Sequence, residues 1–469
     1  MTTLATLIGG APGGGKTTEM REEAIAGQER YVFAFPTIKL LKEQVVEFAS
    51  ATTDWHLVEV HCDDGQKGAV HRKLSEAMEA APASKVAILT THAAVMSPQR
   101  PDFTGWHLRI DEAPNAVQRG TVTMAVSRPY FQEKYRLNPL GVGGWSLLEP
   151  ISRDGNWKVI ERDTLASVLG ELSKAVAGDI FVNVTTWDVD EFRWFSLWTP
   201  LDLGPCASIH IASATYQGSL GYLIGSEHLA DSLHFQPREV PYERSGWPTV
   251  GIRYFSEQED STASWSRSEG RERIKKVGRY LATRVPHLGF WSANPDVAKL
   301  LEQHDIPGKQ VMPLCAGQNE YRDRTSCAFI YSAKPSDDDQ PLLDLFGLKP
   351  TQVRQAREDE DIFQFVMRGA IREKEFGENY EVYVYSAAQA RRLEQRLIRD
   401  GMAASVEVEP IADAGLIAPP CSNRNTMGTP RRGKKWASEA ERKRDYRERK
   451  AAEEGRVLRE QPGRPPKNQ

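Results

Sequence analysis

The chain has 469 residues, 40% of them hydrophobic and 26% charged, so it is long enough for two or three domains with buried cores. It contains no apolar run near the roughly 20 residues that a membrane-spanning helix needs. Its five cysteines are scattered without a C-x-x-C pair, so neither a zinc site nor a disulfide framework is indicated. We expect a cytoplasmic protein without a signal peptide, because a strand pattern begins at once.

The net charge of −4 is unevenly distributed. Residues 430–469 hold 14 basic and 7 acidic residues, a net charge of +7, so the remaining residues carry −11. The segment Gly463-Arg464-Pro465-Pro466-Lys467 in this tail is similar to an AT-hook core, and a plain basic tail is the alternative. A basic tail on an acidic body predicts an anionic partner.

The stretch Gly10-Ala11-Pro12-Gly13-Gly14-Gly15-Lys16-Thr17 satisfies G-x-x-x-x-G-K-[ST], between an apolar strand at 4–8 and a predicted helix. Its glycines let backbone amides turn toward an anion, and the helix N-terminus adds a partial positive charge. We expect a nucleoside triphosphate and Mg²⁺ here, with Lys16 on the β- and γ-phosphates and the Thr17 hydroxyl on the metal; the motif alone leaves the base open. The residues predicted to bind nucleotide in this region are Gly10, Gly13, Gly14, Gly15, Lys16, Thr17 and Thr18.

Apolar runs at 31–35, 86–89 and 106–110 predict further buried strands, each followed by polar residues. Strands that alternate with helices predict an α/β fold with a parallel sheet, whose chemistry lies at the carboxyl ends of the strands. Asp111 and Glu112 follow the third run. Asp111 is suited to hold Mg²⁺ and Glu112 to polarise the attacking water as general base, the alternative being an acidic strand end in solvent.

These motifs and their order resemble those of superfamily 2 helicases of the DEAD/DEAH type, including helicase-like proteins of phages and plasmids. Residues 111–114 look like motif II, 36–44 like motif Ia, 89–92 like the short motif between them, and Ser213-Ala214-Thr215 like motif III. The resemblance implies two tandem RecA-like domains that close on ATP while they hold a nucleic-acid strand. The residues it implies for contact with nucleic acid in the first domain are Pro36, Thr37, Thr91 and His92.

The second half carries three weaker matches. Residues 287–292 resemble motif IV, and 317–323 resemble motif V, in which Gly317 and Asn319 would lie beside both nucleic acid and ATP; a polar turn is the alternative. Gln364, Arg368 and Arg372 lie in a segment similar to motif VI and are four apart, so a helix would place all three on one face. Arginine suits a phosphate because its fork is planar and always charged.

The resemblance implies that two arginines of motif VI reach the triphosphate, and Gln364 also borders the nucleotide. Their spacing departs from the family pattern, which leaves open whether Arg368 or Arg372 is the arginine finger; we favour Arg372. A solvated basic helix face is the alternative for this segment.

About ninety residues separate motifs II and III and contain five tryptophans, which indicates an inserted subdomain. We expect these tryptophans to form its core, in preference to stacking on bases. The predicted organisation is a first RecA-like domain at 1–115 and 205–235, an insert at 116–204, a linker at 236–270, a second RecA-like domain at 271–412 and a basic tail at 413–469.

Together these features predict an ATP-dependent helicase or translocase that acts on nucleic acid, with DNA favoured over RNA, in phage or plasmid replication or recombination. The alternatives are a packaging-type motor, a small-molecule kinase and a DNA-binding regulator that acts through its tail. A kinase would rarely need a second RecA-like half, and a packaging motor would need a nuclease centre with clustered carboxylates.

Overall fold

The computed structural model describes residues 2–417, except for 63–69, 98–99, 115, 124–128, 130–132, 134, 142–144, 152–183, 188–190 and 314–319. Gly317, Asn319 and residues 418–469 of the predicted tail therefore lie outside the described residues. Within the described part, no helix combines the length and the apolar character needed to cross a membrane. Three sheets organise this part of the chain.

The first sheet is entirely parallel. Its strands are β1 (Thr3–Gly9), β2 (Arg30–Phe35), β3 (His56–Glu59), β4 (Val86–Thr91), β5 (His107–Asp111), β11 (Ser208–Ala212) and β12 (Leu233–Glu239), numbered with all strands in chain order. Their order across the sheet is β12-β1-β11-β5-β2-β4-β3. Successive side chains of β2, such as Val32, Phe33 and Ala34, are all buried, as expected for a strand with helices on both faces of its sheet.

Helices connect these strands and cover both faces of the sheet. They are α1 (Lys16–Gly27), α2 (Ile38–Ala51), α3 (Val70–Ala80), α4 (His92–Val95) and α5 (Leu220–His228). Helix α2 begins after Thr37, whose hydroxyl accepts a hydrogen bond from the Leu40 amide at 3.2 Å, and it buries Leu41 and Phe48 against the sheet. The strands that precede residues 10–17, 213–215 and 111–114 are neighbours, so these three segments meet at one edge of the sheet.

The insert forms an antiparallel sheet of its own. Its strands are β6 (Val117–Thr123), β7 (Tyr135–Pro139), β8 (Trp145–Pro150), β9 (Val184–Trp187) and β10 (Glu191–Leu197), in the order β6-β10-β9-β8-β7. Trp145 and Trp194 are 2% and 7% exposed, so these two tryptophans lie in the packed interior and are not free to stack on bases. Trp198 packs against the core of the first domain.

The second parallel sheet contains six strands. They are β13 (Thr249–Ser256), β14 (Phe290–Ala293), β15 (Lys309–Gln310), β16 (Ser326–Ile330), β17 (Asn379–Ser386) and β18 (Ser405–Pro410), in the order β15-β14-β16-β17-β13-β18. Its helices are α6 (Thr262–Trp265), α7 (Ser268–Arg284), α8 (Pro295–Leu301), α9 (Gln340–Asp344), α10 (Pro350–Arg354), α11 (Glu360–Val366) and α12 (Ala387–Arg399). Two parallel sheets flanked by helices confirm the predicted tandem RecA-like fold.

The segment predicted as a linker, 236–270, differs from the observed arrangement. Its first residues complete β12 in the first sheet, and β13 lies at the centre of the second sheet between β17 and β18. The reason is an alternating pattern in β13, in which Val250, Ile252 and Tyr254 point into the core of the second domain. The chain passes from the first sheet to the second through residues 240–248, and we call this segment the connector.

The insert also packs on the second domain. Trp145, Phe195 and Leu197 of the insert share one apolar cluster with Leu342 and Phe346, which follow β16 in the second domain. The rings of Phe195 and Phe346 lie 5.9 Å apart, and the Trp145 Nε1 atom donates a hydrogen bond to Asp344 at 3.3 Å. The insert is therefore attached to both RecA-like domains.

A buried carboxylate lies at the edge of this contact. Asp339 has no exposed surface and forms ion pairs with Arg119 of β6 and with Arg357 of the second domain, the latter at 2.7 Å. The neighbouring Asp338 accepts a hydrogen bond from Thr121 at 2.8 Å. The acidic run 337–339 thus serves as a contact with the insert.

Candidate nucleotide site

Residues 10–17, the phosphate-binding loop or P-loop, lie between β1 and α1, as their motif requires. Gly10, Gly13 and Gly15 have φ angles of 126°, 77° and 86°, a region of backbone space that favours glycine. The Lys16 ammonium crosses the loop and donates to the carbonyl oxygens of Gly10 at 3.0 Å and Ala11 at 2.7 Å. Thr18 is half-buried in the first turn of α1. The loop thus places a lysine and a helix N-terminus where phosphates would bind.

Asp111 faces the P-loop across one intervening strand. Ile8, Ala212 and Asp111 are aligned in register on β1, β11 and β5, which places β1 and β5 about 10 Å apart. The Thr17 hydroxyl crosses this gap and donates a hydrogen bond to Asp111 Oδ1 at 2.7 Å. The two residues predicted to hold Mg²⁺ are therefore in direct contact.

Burial shifts the pKa values of both Asp111 and Lys16. Burial and the adjacent charge of Glu112 raise the pKa of Asp111 to about 7, against the opposing effect of the Thr17 hydrogen bond and Lys16. Burial likewise lowers the pKa of Lys16 to about 8. A hydroxyl and a desolvated carboxylate are the hard oxygen donors that suit Mg²⁺, so the residues present fit this ion.

Glu112 leaves the strand in an unusual backbone conformation. Its φ angle is 64°, in the left-handed region, while its amide still donates to the carbonyl oxygen of Ala212 at 2.7 Å. Non-glycine residues in this region are commonly found at functional sites, because the surrounding structure must offset the strain. The Glu112 carboxylate accepts a hydrogen bond from Arg368 of the second domain at 3.2 Å.

Arg372 of the second domain lies against the P-loop. A Cβ atom built on Gly13 would be 3.3 Å from the Arg372 carbonyl oxygen and 3.4 Å from its Nε, so the finger candidate and the loop are in contact. The Tyr242 hydroxyl, from the connector, donates to the same carbonyl at 3.1 Å. Burial, followed by the nearby charge of Arg368, lowers the pKa of Arg372 to about 10, which leaves it cationic at neutral pH.

The single helix predicted for Gln364, Arg368 and Arg372 is wrong. Helix α11 ends at Val366, and Arg372 ends a separate 3₁₀ turn that begins at Ala370. At the break, Gly369 has an extended backbone (φ −81°, ψ −170°), and its Cα approaches the Tyr380 hydroxyl so closely that a side chain would collide with it. The turn separates the two arginines, so that Arg368 reaches Glu112 and Arg372 reaches the P-loop.

Thr215 of the predicted motif III contacts Glu360 of the second domain, a residue that the sequence analysis did not single out. The Thr215 hydroxyl donates to Glu360 at the start of α11, and Gln364 donates to the same carboxylate at 2.9 Å. Gln364 is therefore placed beside Glu360, and among the described residues the hydrogen bond of its side chain goes to Glu360 and not to the P-loop. The spacing of Glu360 and Gln364, four residues apart on a helix, was the only local signal for this pair.

The residues predicted to contact nucleic acid lie at neighbouring strand ends. Pro36 and Thr37 follow β2, and Thr91 ends β4, which pairs with β2. The His92 ring is turned toward the end of β5, where its Nε2 lies 2.8 Å from the Asp111 carbonyl oxygen, and burial lowers its pKa. His92 thus connects this segment to motif II in the described structure.

Motif Ia also faces the second domain. Lys39, on the first turn of α2, forms an ion pair with Glu320, which also pairs with Lys309 at 2.9 Å. Glu320 comes directly after residues 314–319, which lie outside the described residues and include Gly317 and Asn319 of the predicted motif V. The described residues therefore bring the ends of motifs Ia and V together.

Two parallel sheets flanked by helices, with the P-loop, Asp111, Thr215 and Arg372 where the two domains meet, give this chain a tandem RecA-like fold. The chain is similar in structure to a helicase named XPD_Helicase, with a TM-score of 0.51, 10% identity and coverage of 87% of this chain and 96% of the other. The S. tokodaii Xpd4 structure is similar at a TM-score of 0.46 and 12% identity, over 87% of this chain and 96% of that one. No family model and no curated protein matches the sequence.

Proposed function

We propose that this protein is an ATP-dependent helicase or translocase that moves along a nucleic-acid strand. The observation that supports this function best is the convergence of Arg368 and Arg372, from the second domain, on Glu112 and the P-loop of the first. Because the nucleotide site takes residues from both domains, it is complete only when the cleft between the domains is closed. Nucleotide binding and release can therefore be converted into relative movement of the domains.

The residues of the first domain bind the substrate. Lys16 exchanges its two carbonyl partners for phosphate oxygens of ATP, because a triphosphate in the loop supplies charged acceptors in their place. Thr17 and Asp111 are the ligands for Mg²⁺, which supplies charge neutralisation and orientation of the β- and γ-phosphates when it is bound. The 2.7 Å contact between them holds both oxygen ligands in place beforehand.

The chemical step depends on three side chains. Glu112 accepts a proton from the attacking water, and Arg368 holds the Glu112 carboxylate at the cleft. Arg372 stabilises the charge that develops on the transferred phosphoryl group, in the role of an arginine finger. Since Arg372 belongs to the second domain, hydrolysis is fast only in the closed arrangement.

The nucleic-acid strand would lie on the side of the sheet where Pro36 and Thr37 follow β2 and where Thr91 ends β4. The ion pair between Lys39 and Glu320 lies on the same side. The choice of DNA over RNA rests on the tail, whose net charge of +7 and Gly463-Arg464-Pro465 segment suit a duplex groove. A role in phage or plasmid replication or recombination is part of the same proposal and rests on the motif resemblance.

The test is ATP hydrolysis by the full chain, measured alone and with single-stranded DNA, double-stranded DNA or RNA, with Glu112→Gln as the inactive control. We expect low basal hydrolysis and a marked stimulation by DNA. Stimulation by RNA alone would retain the translocase and reject the DNA assignment. Hydrolysis that no nucleic acid changes would reject the helicase proposal in favour of another P-loop enzyme.

A further inference from the structure

The connector runs beside the loop that carries Arg372. The amide of Val240 donates to the Gly9 carbonyl at 3.1 Å, directly before the P-loop, and Tyr242 binds the Arg372 carbonyl. The amides of Ser245 and Gly246 then both donate to the Lys374 carbonyl, at 3.0 Å and 2.9 Å. The connector is thus in contact with the P-loop strand at one end and with the finger loop, residues 369–376, at the other.

Arg244 lies in the middle of this contact and is 8% exposed. Its guanidinium group donates to the carbonyl oxygens of Ile371 at 2.8 Å and Glu373 at 3.0 Å, which flank Arg372 on both sides. It also donates to the carbonyl oxygens of Gly246 at 2.9 Å and Phe376 at 3.4 Å. Within the described chain, every acceptor found for this guanidinium is a backbone carbonyl.

We propose that Arg244 is a positioning residue that holds the Arg372 loop against the P-loop. A buried cation whose hydrogen bonds all go to carbonyl dipoles requires those carbonyls to keep their orientation. Because two of them belong to the residues before and after Arg372, the backbone of Arg372 is restrained on both sides. Arginine is the side chain suited to this role, since its planar fork offers five donors in a fixed geometry.

The restraint comes from the connector and not from the second domain alone. The chain before Arg244 belongs to β12, which pairs with the P-loop strand in a register that sets Glu239 opposite Gly9. The chain after it enters β13, next to β17 of the second sheet. Arg244 therefore ties the position of the finger to the segment that must bend when the domains move, a role that rests on the function proposed above.

The test is a double-mutant cycle on nucleic-acid-stimulated ATP hydrolysis with Arg244→Lys, Arg372→Lys and the double variant. Lysine keeps the charge but cannot bind carbonyls on both sides of Arg372. Misplacing a catalytic group by about 1 Å costs about 10²-fold in rate, so we expect Arg244→Lys to lower kcat by that factor and leave KM for ATP unchanged. The double variant should be no slower than Arg372→Lys alone, because Arg244 acts through Arg372.

Arg253→Lys is the matched control, because Arg253 lies on β13, where its ion pair is with Glu409 on the adjacent strand and not with the finger loop. It should keep full activity. Circular dichroism and thermal melting check the fold of each variant, and Arg244→Gln provides a second replacement.

Four results would overturn the assignment: an unchanged kcat in Arg244→Lys, a rise in KM alone, fully multiplicative effects in the double variant, or loss of the fold in both Arg244→Lys and Arg244→Gln. The last result would show a purely structural role. A wild-type chain without ATP hydrolysis would instead reject the proposed function. Full activity of Arg372→Lys would reject the finger itself, so the failures are distinguishable.

Discussion

The ion pair between Arg119 of the insert and Asp339 of the second domain should contribute to the free energy of unfolding, and this contribution can be measured. Asp339 is fully buried, and it also pairs with Arg357 at 2.7 Å and accepts the Ser336 amide at 2.8 Å. A hydrogen bond to a charged group contributes about 1.5–3 kcal/mol, and removal of one partner of a buried pair costs about 3–5 kcal/mol. Since Arg357 remains, we expect Arg119→Met to lose about 2 kcal/mol of unfolding free energy and Asp339→Asn about 4 kcal/mol.

Urea denaturation followed by tryptophan fluorescence would measure these losses of unfolding free energy, because Trp145 and Trp194 are buried within the insert. In a double-mutant cycle, Arg119→Met and Asp339→Asn should show a coupling energy of about 1.5–3 kcal/mol. The matched pair Arg253→Met and Asp339→Asn should be additive to within about 0.5 kcal/mol, because the two residues share no partner. Additivity of the first pair would refute the reasoning, since the contact would then contribute nothing to the folded state.

The remaining predictions concern catalysis and the tail. Lys16→Ala should weaken MgATP binding, whereas Glu112→Gln should bind MgATP and not hydrolyse it; hydrolysis near the wild-type rate by Glu112→Gln would remove its assignment as general base. Arg372→Lys should lower stimulated hydrolysis by up to about 10³–10⁵ with ATP binding retained, and Arg368→Lys should lower it less; full activity in both variants would separate the second domain from the P-loop. Deletion of 430–469 should leave basal hydrolysis intact and make the salt dependence of nucleic-acid affinity shallower; an unchanged slope would exclude the tail as a nucleic-acid arm.

Local features of the site were predictable because they occupy contiguous residues. Gly10 to Thr17 form one turn between a strand and a helix, so the motif alone indicates both its structure and its ligand. The approach of Asp111 to Thr17 was also predictable, because the carboxyl ends of parallel strands meet at one edge of a sheet. Strand β13 could have been found from the alternation of Val250, Ile252 and Tyr254 before the polar residues that follow.

Other features depend on contacts between residues far apart in the chain. The spacing of Arg368 and Arg372 favoured one helix, and the sequence carries no local sign that Gly369 must pass close to Tyr380. The four acceptors of Arg244 are backbone atoms, which carry no sequence signal at all. Thr215 and Glu360 meet only because both sheets are assembled.

The attachment of the insert to both domains has a consequence for how the cleft can open. A single covalent connector leaves two rigid bodies free to swing and twist about one point. Here the contact of Phe195 with Phe346 adds a second point, at a distance in sequence from 240–248. Two attachment points define a line, so once the contacts of Glu112, Thr215 and Lys39 across the cleft have separated, a docked insert restricts rotation of the sheets to the axis through both points. Each turnover would then repeat one trajectory, and undocking of the insert would release the other degrees of freedom.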